Sequence, residues 1–109
     1  MYEVKGKTIT MTRGDTVKID VTMKDANGNV YTPLPGEVIR FKVKKNWFDK
    51  TALLEIPIPI STMRLHIAPE NTSTWAFGQY VFDIQITHNN GDVDTFINKG
   101  TLNITEETD

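Results

Sequence analysis

The sequence predicts an all-β fold, a small antiparallel β-sandwich of about seven or eight strands, and three observations carry that prediction. Apolar and polar residues alternate with a period of two along most of the 109 residues, the pattern of strands with one buried face. Turn-forming Gly, Asn and Pro recur at spacings of roughly 8 to 12 residues, as short antiparallel strands require. No segment sustains the period of a helix, and a chain of this length holds one core, so residues 1–109 read as a single domain.

The elements follow in order. Thr8-Ile9-Thr10-Met11-Thr12 alternates with β-branched threonines on one side, which suits a pleated surface. Arg13-Gly14 turns the chain into residues 15–25, where Val17, Ile19, Val21 and Met23 alternate with Lys18, Asp20, Thr22 and Lys24. Asn27-Gly28-Asn29 supplies a turn. Residues 37–45 form the next strand, with Ile39, Phe41 and Val43 inward and Arg40, Lys42 and Lys44 in water. Ile56-Pro57-Ile58-Pro59-Ile60 keeps the alternation but removes two ladder donors, which only an edge strand tolerates. A short strand over residues 63–68 turns Leu65 and Ile67 inward. Pro69-Glu70-Asn71-Thr72 then provides about one helical turn that crosses between the sheets. Residues 78–87 are the strongest strand, with Tyr80, Phe82, Ile84 and Ile86 on one face. Residues 88–92 make a hairpin around Asn90-Gly91. The return runs over 93–97 and 101–105, broken by a bulge or kink at Asn98-Lys99-Gly100, and residues 105–109 are an acidic, frayed end.

This order of strands makes the immunoglobulin-like sandwich the best single reading. Tyr80, two residues before inward Phe82 and just after the 69–72 crossover, stands at the place of a tyrosine corner, a structural role, and Phe82 stands where antibody domains put a cysteine.

The same residues exclude several functions. With 12 Lys plus Arg against 14 Asp plus Glu, the net charge of -2 gives no drive toward nucleic acid or an anionic membrane. Lys18, Lys24, Arg40, Lys42, Lys44 and Lys45 read as solvated positions, with Asp20, Glu37 and Asp83 interleaved. The absence of cysteine leaves no disulfide and no thiolate ligand. No apolar run reaches membrane-spanning length, and Met1 to Lys7 carries no signal-peptide pattern, so synthesis in the cytosol is expected. His66 and His88 fall on outward or turn positions and read as surface residues, which leaves no catalytic set, no metal spacing and no cofactor loop. Arg13-Gly14-Asp15 reads as a turn opening a strand, rather than as an integrin-binding tripeptide. Trp47, Phe48 and Trp75 lie at strand ends or in connections, where aromatics are either lids on the core or anchors of an interface. They are the candidate interface residues.

Four stretches in order resemble a known family: 8–16, 38–45, 65–72, and 80–87 with the Gly91-Asp92-Val93 hairpin. They resemble small phage and prophage proteins of Firmicutes and the N-terminal domain of siphophage baseplate upper proteins, over nearly the whole chain. The resemblance implies a non-enzymatic, virion-associated structural protein of the phage tail, made in a bacterial cytoplasm. Its partners would be other tail or baseplate proteins, and it would also assemble as a symmetric homo-oligomer. Two rivals stand beside that expectation. One is a free immunoglobulin-like module binding carbohydrate or a cell surface through Trp47 and Trp75, and the other a small enzyme using Asp83, His88, Asp92 and Asp94.

Overall fold

The computed structural model describes residues 2–24 and 27–106. Its strands are β1 (Tyr2–Lys5), β2 (Thr8–Thr12), β3 (Val17–Asp20), β4 (Val38–Lys44), β5 (Leu54–Ile58), β6 (Arg64–Ile67), β7 (Gly78–Thr87) and β8 (Val93–Thr105), with a single helical turn, α1 (Pro69–Thr72), between β6 and β7. Six strands form one sheet in the order β1-β2-β8-β7-β4-β5, and β3 and β6 form a second. The chain is a small β-sandwich, nearly all β.

Alternation decides which residues meet between the sheets. Phe41 and Phe82 sit at the centre with ring centroids 5.1 Å apart, and Met11, Val17, Leu65, Ile67, Ile86 and Leu102 close around them, each almost fully buried. Every one of these occupies the inward phase of its strand, so burying them removes the apolar half of the pattern from water. The prolines behave as an edge demands: β5 borders the sheet, paired only with β4, with Pro57 opposite Arg40. The helical turn begins on Pro69, and the Asn71 side chain accepts the Ala68 N–H at 2.7 Å.

Three expectations need correction, and one strand was not foreseen. The large sheet is mixed rather than antiparallel, because β2 pairs with β8 in parallel, from Thr8 opposite Thr101 to Thr12 opposite Thr105. Both strands run toward the end where Arg13-Gly14 turns the chain into the other sheet, and alternation carries no information about direction. Secondly, Tyr2–Lys5 is a strand, pairing antiparallel with β2 through the turn at Gly6, whose φ is +61°. Thirdly, β3 stops at Asp20, since its partner β6 begins at Arg64 opposite it, while Met23 still reaches the core. Finally, the return is one strand, β8, rather than two, although the bulge expected at residues 98–100 is present, with Lys99 at φ +57°, and a second follows between Ile84 and Gln85 of β7. Asp25 and residues 107–109, the far end of one predicted strand and most of the acidic end, lie outside the described residues.

Candidate functional site

The two ends of the sandwich carry different chemistry. At one end the β4–β5 connection projects Trp47 and Phe48, which are 46% and 83% exposed, with Leu53 exposed beside them. The loop has a defined shape: the Asn46 N–H donates to Asp49 Oδ2 at 3.0 Å, the Asp49 N–H returns to the Asn46 carbonyl at 3.2 Å, and the Leu53 N–H closes on the Val43 carbonyl at 2.7 Å. Trp47 borders a small recess on the outer face of the large sheet together with Lys42, Lys44, Val81 and Asp83. Burial pushes the Asp83 carboxyl up, against the pull of Lys42 and Lys44.

Trp75 lies at the same end but is differently used. Its ring packs on Tyr80 at a centroid distance of 4.8 Å and belongs to the half-buried layer around the core. Lys45 lies 4.4 Å from the Tyr80 ring centroid and donates to the Gln79 carbonyl at 3.4 Å. The Tyr80 hydroxyl donates to the Ala76 carbonyl at 2.7 Å, the bond that a tyrosine corner makes to the chain a few residues upstream. Arg13 stacks over Phe77 at 4.2 Å and donates to the Trp75 carbonyl at 3.2 Å. Thr72, fully buried, accepts the Gly14 N–H at 3.0 Å. The Arg13-Gly14-Asp15 segment is thereby a turn seated against the connection from α1 to β7, with the Asp15 N–H on the Thr12 carbonyl at 3.1 Å. Of the three candidate aromatics, Trp47 and Phe48 face water and Trp75 caps the core.

The opposite end holds a cluster that the sequence reading missed. The Glu37 side chain is 2% exposed and His88 21%, where Glu37 reads in the sequence as solvated and His88 as a surface residue. Glu37 accepts the Tyr31 hydroxyl at 2.6 Å and the Leu34 N–H at 2.7 Å, and it also receives His88 Nδ1. His88 Nε2 meets Asp94 Oδ2 at 2.7 Å. The Leu34 N–H, the Tyr31 hydroxyl and His88 hold the Glu37 carboxyl down at about 2. The bond to Glu37, with burial and the nearby carboxylate charges, lifts Tyr31 to about 12. Hydrogen bonds to Glu37 and then Asp94 raise His88, against its partial burial.

Chemically, this cluster is a clasp. Each imidazole nitrogen faces a carboxylate, so both N–H groups donate and the ring favours its cationic form, with no lone pair free to take a proton. The clasp ties the β3–β4 connection to the β7–β8 hairpin, and Asn89 adds a bond to the Pro35 carbonyl at 3.1 Å. The available signal was register: Val38 pairs with Thr87, so the next residues outward, Glu37 and His88, face each other. Of the acids considered with His88, only Asp94 joins it; Asp92 accepts from Asn90 at 3.2 Å, and Asp83 lies on the sheet face near Lys42 and Lys44. Among the described residues no group of three or more His, Cys, Asp or Glu could hold a metal ion.

The cations do not gather on one face. Lys18 stands on the small sheet, Arg40, Lys42 and Lys44 on the large one, and Arg40 and Arg64 are paired with Glu55 and Asp20 at 3.2 Å and 2.9 Å. No protein-family model matches the chain, and no curated protein or solved structure matches it significantly.

Proposed function

We propose that this chain is a non-enzymatic attachment module of a phage or prophage tail, docking on other tail or baseplate proteins through the tip of its β4–β5 loop. The observation that supports the docking surface is the exposure of Trp47 and Phe48 on a loop fixed by the Asn46–Asp49 bonds. Two adjacent aromatics already ordered in water lose little conformational freedom on binding, which is what an interface anchor needs. The phage assignment itself rests on the resemblance of the strand and turn segments. A sugar platform made by two tryptophans is less favoured, since Trp75 is spent on Tyr80.

The test is to place Trp47→Ala/Phe48→Ala in the gene of the source strain, induce the prophage and quantify the chain in purified particles. The proposal expects incorporation to fall at least tenfold while the isolated variant melts like the parent. Undiminished incorporation would remove this loop from the docking surface.

A further inference from the structure

We propose that a notch between the two sheets, beneath the β1–β2 turn, is a binding site for a small, neutral, predominantly apolar molecule between one benzene ring and indole in size. The notch has a volume of about 210 Å³ and opens on the flank where β2 begins, at Thr8 opposite Thr101. β2 covers β8 only from Thr101 to Thr105, and upstream of Gly100 the two bulges set β8 out of register with β7. The sandwich is therefore incompletely closed at this corner, and Ile97 lies in the uncovered stretch.

The inner wall of the notch is core, whereas Val4, Gly6, Lys7, Asp20 and Thr22 around its mouth are exposed. Phe82 and Ile84 form part of that wall, with Ile9 and Leu65, all four buried. Half-buried Ile19, Val21 and Ile97 and exposed Val4 complete the apolar wall. The walls are also held apart. The Phe82 ring is confined between Phe41 and the backbone of Gly100, where even a Cβ would lie 2.4 Å from it. To one side of the gap the Tyr2 hydroxyl bridges from β1 to the Lys18 carbonyl on β3 at 2.6 Å, and at the β1–β2 turn the Thr101 N–H holds the Lys7 carbonyl at 2.9 Å. A preformed apolar space is one that an apolar ligand enters without first creating it.

Size and charge define the class of ligand. An engineered cavity of about 150 Å³ lined by Leu, Ile and Phe admits benzene, so a notch of about 210 Å³ whose inner wall has the same chemistry accommodates a ring with a short substituent or a fused pair. The mouth carries Lys7 and Asp20, one charge of each sign, and the Asp20 carboxylate already holds Arg64. It therefore offers no preference for a charged ligand.

The experiment titrates the intact chain with indole and, separately, with toluene, following methyl resonances by carbon–proton NMR. The expected result is a saturable shift concentrated on the methyls of Ile9, Ile19, Leu65 and Ile97, with a rise in melting temperature. Val21→Phe, which fills the notch, is expected to weaken binding at least tenfold; Ile97→Phe serves the same purpose should the first variant fail to fold. No saturable shift of those methyls up to the solubility of either probe, or undiminished affinity in a folded filled variant, would overturn the proposal.

Discussion

Gly100→Ala probes the packing at the β7–β8 bulge more sharply than any truncation. Gly100 is buried opposite Phe82, and its backbone is not in the left-handed region, so alanine is conformationally allowed and the whole cost is steric. A Cβ there would lie 2.4, 2.6 and 2.7 Å from three atoms of the Phe82 ring. Ordinary carbon–carbon contact begins near 3.5 Å, so ring or strand must move by about 1 Å. Phe41 stands against the ring on its other side at 5.1 Å between centroids. Overpacking of this kind costs about 1–3 kcal/mol, and the blocked retreat places Gly100→Ala at the upper part of that range. For a chain of this length the melting temperature should fall by about 10 °C. Thermal and urea unfolding measure the loss, and adding Phe82→Leu to Gly100→Ala should recover part of it, giving a coupling of about 1 kcal/mol. Unchanged melting of Gly100→Ala, or strict additivity with Phe82→Leu, would show that the ring yields freely and that the contact costs nothing.

Other parts of the fold make three further predictions. Tyr80→Phe removes the 2.7 Å bond to the Ala76 carbonyl and should cost about 1 kcal/mol in urea unfolding, whereas an unaltered midpoint would make the hydroxyl idle. Trp75→Ala should destabilise by about 2–3 kcal/mol, while Trp47→Ala and Phe48→Ala should each stay within about 0.5 kcal/mol, and equal losses at all three would make the loop aromatics lids. The clasp predicts a pH profile. His88 is raised in the folded state, so its contribution is fully present below its ordinary 6.5 and fades as pH climbs through the higher folded value. Glu37 is lowered to about 2, so its contribution is present above its ordinary 4.5 and fades as pH drops toward 2. Melting temperature should therefore be greatest between about pH 4.5 and 6.5, and His88→Gln should remove the alkaline decline; its persistence in that variant would separate His88 from the clasp.

Much of the fold was legible because the period of two is a local property. Residues 38–44 and 78–87 declare their inward faces without knowledge of any partner, and Pro57 identifies an edge because a proline cannot complete a second ladder. What was not legible depends on pairing. The parallel approach of β2 to β8 joins residues about 93 apart in sequence, as in Thr8 with Thr101, and nothing in the alternation encodes direction. Tyr2–Lys5 is too short to show a period. The candidate site divides the same way: Trp47 and Phe48 were visible as aromatics next to a strand end, but packing alone assigns Trp75 to the core. Glu37 and His88 lie 51 residues apart, and only the register of β4 against β7 brings them together.

Whether this chain is part of a phage particle is decided by inducing the prophage in the source strain, purifying intact particles and searching them by peptide mass spectrometry. A tail module should be found at a fixed ratio to a tail subunit. Its absence from intact particles, with the protein abundant in the cell, would contradict the tail assignment.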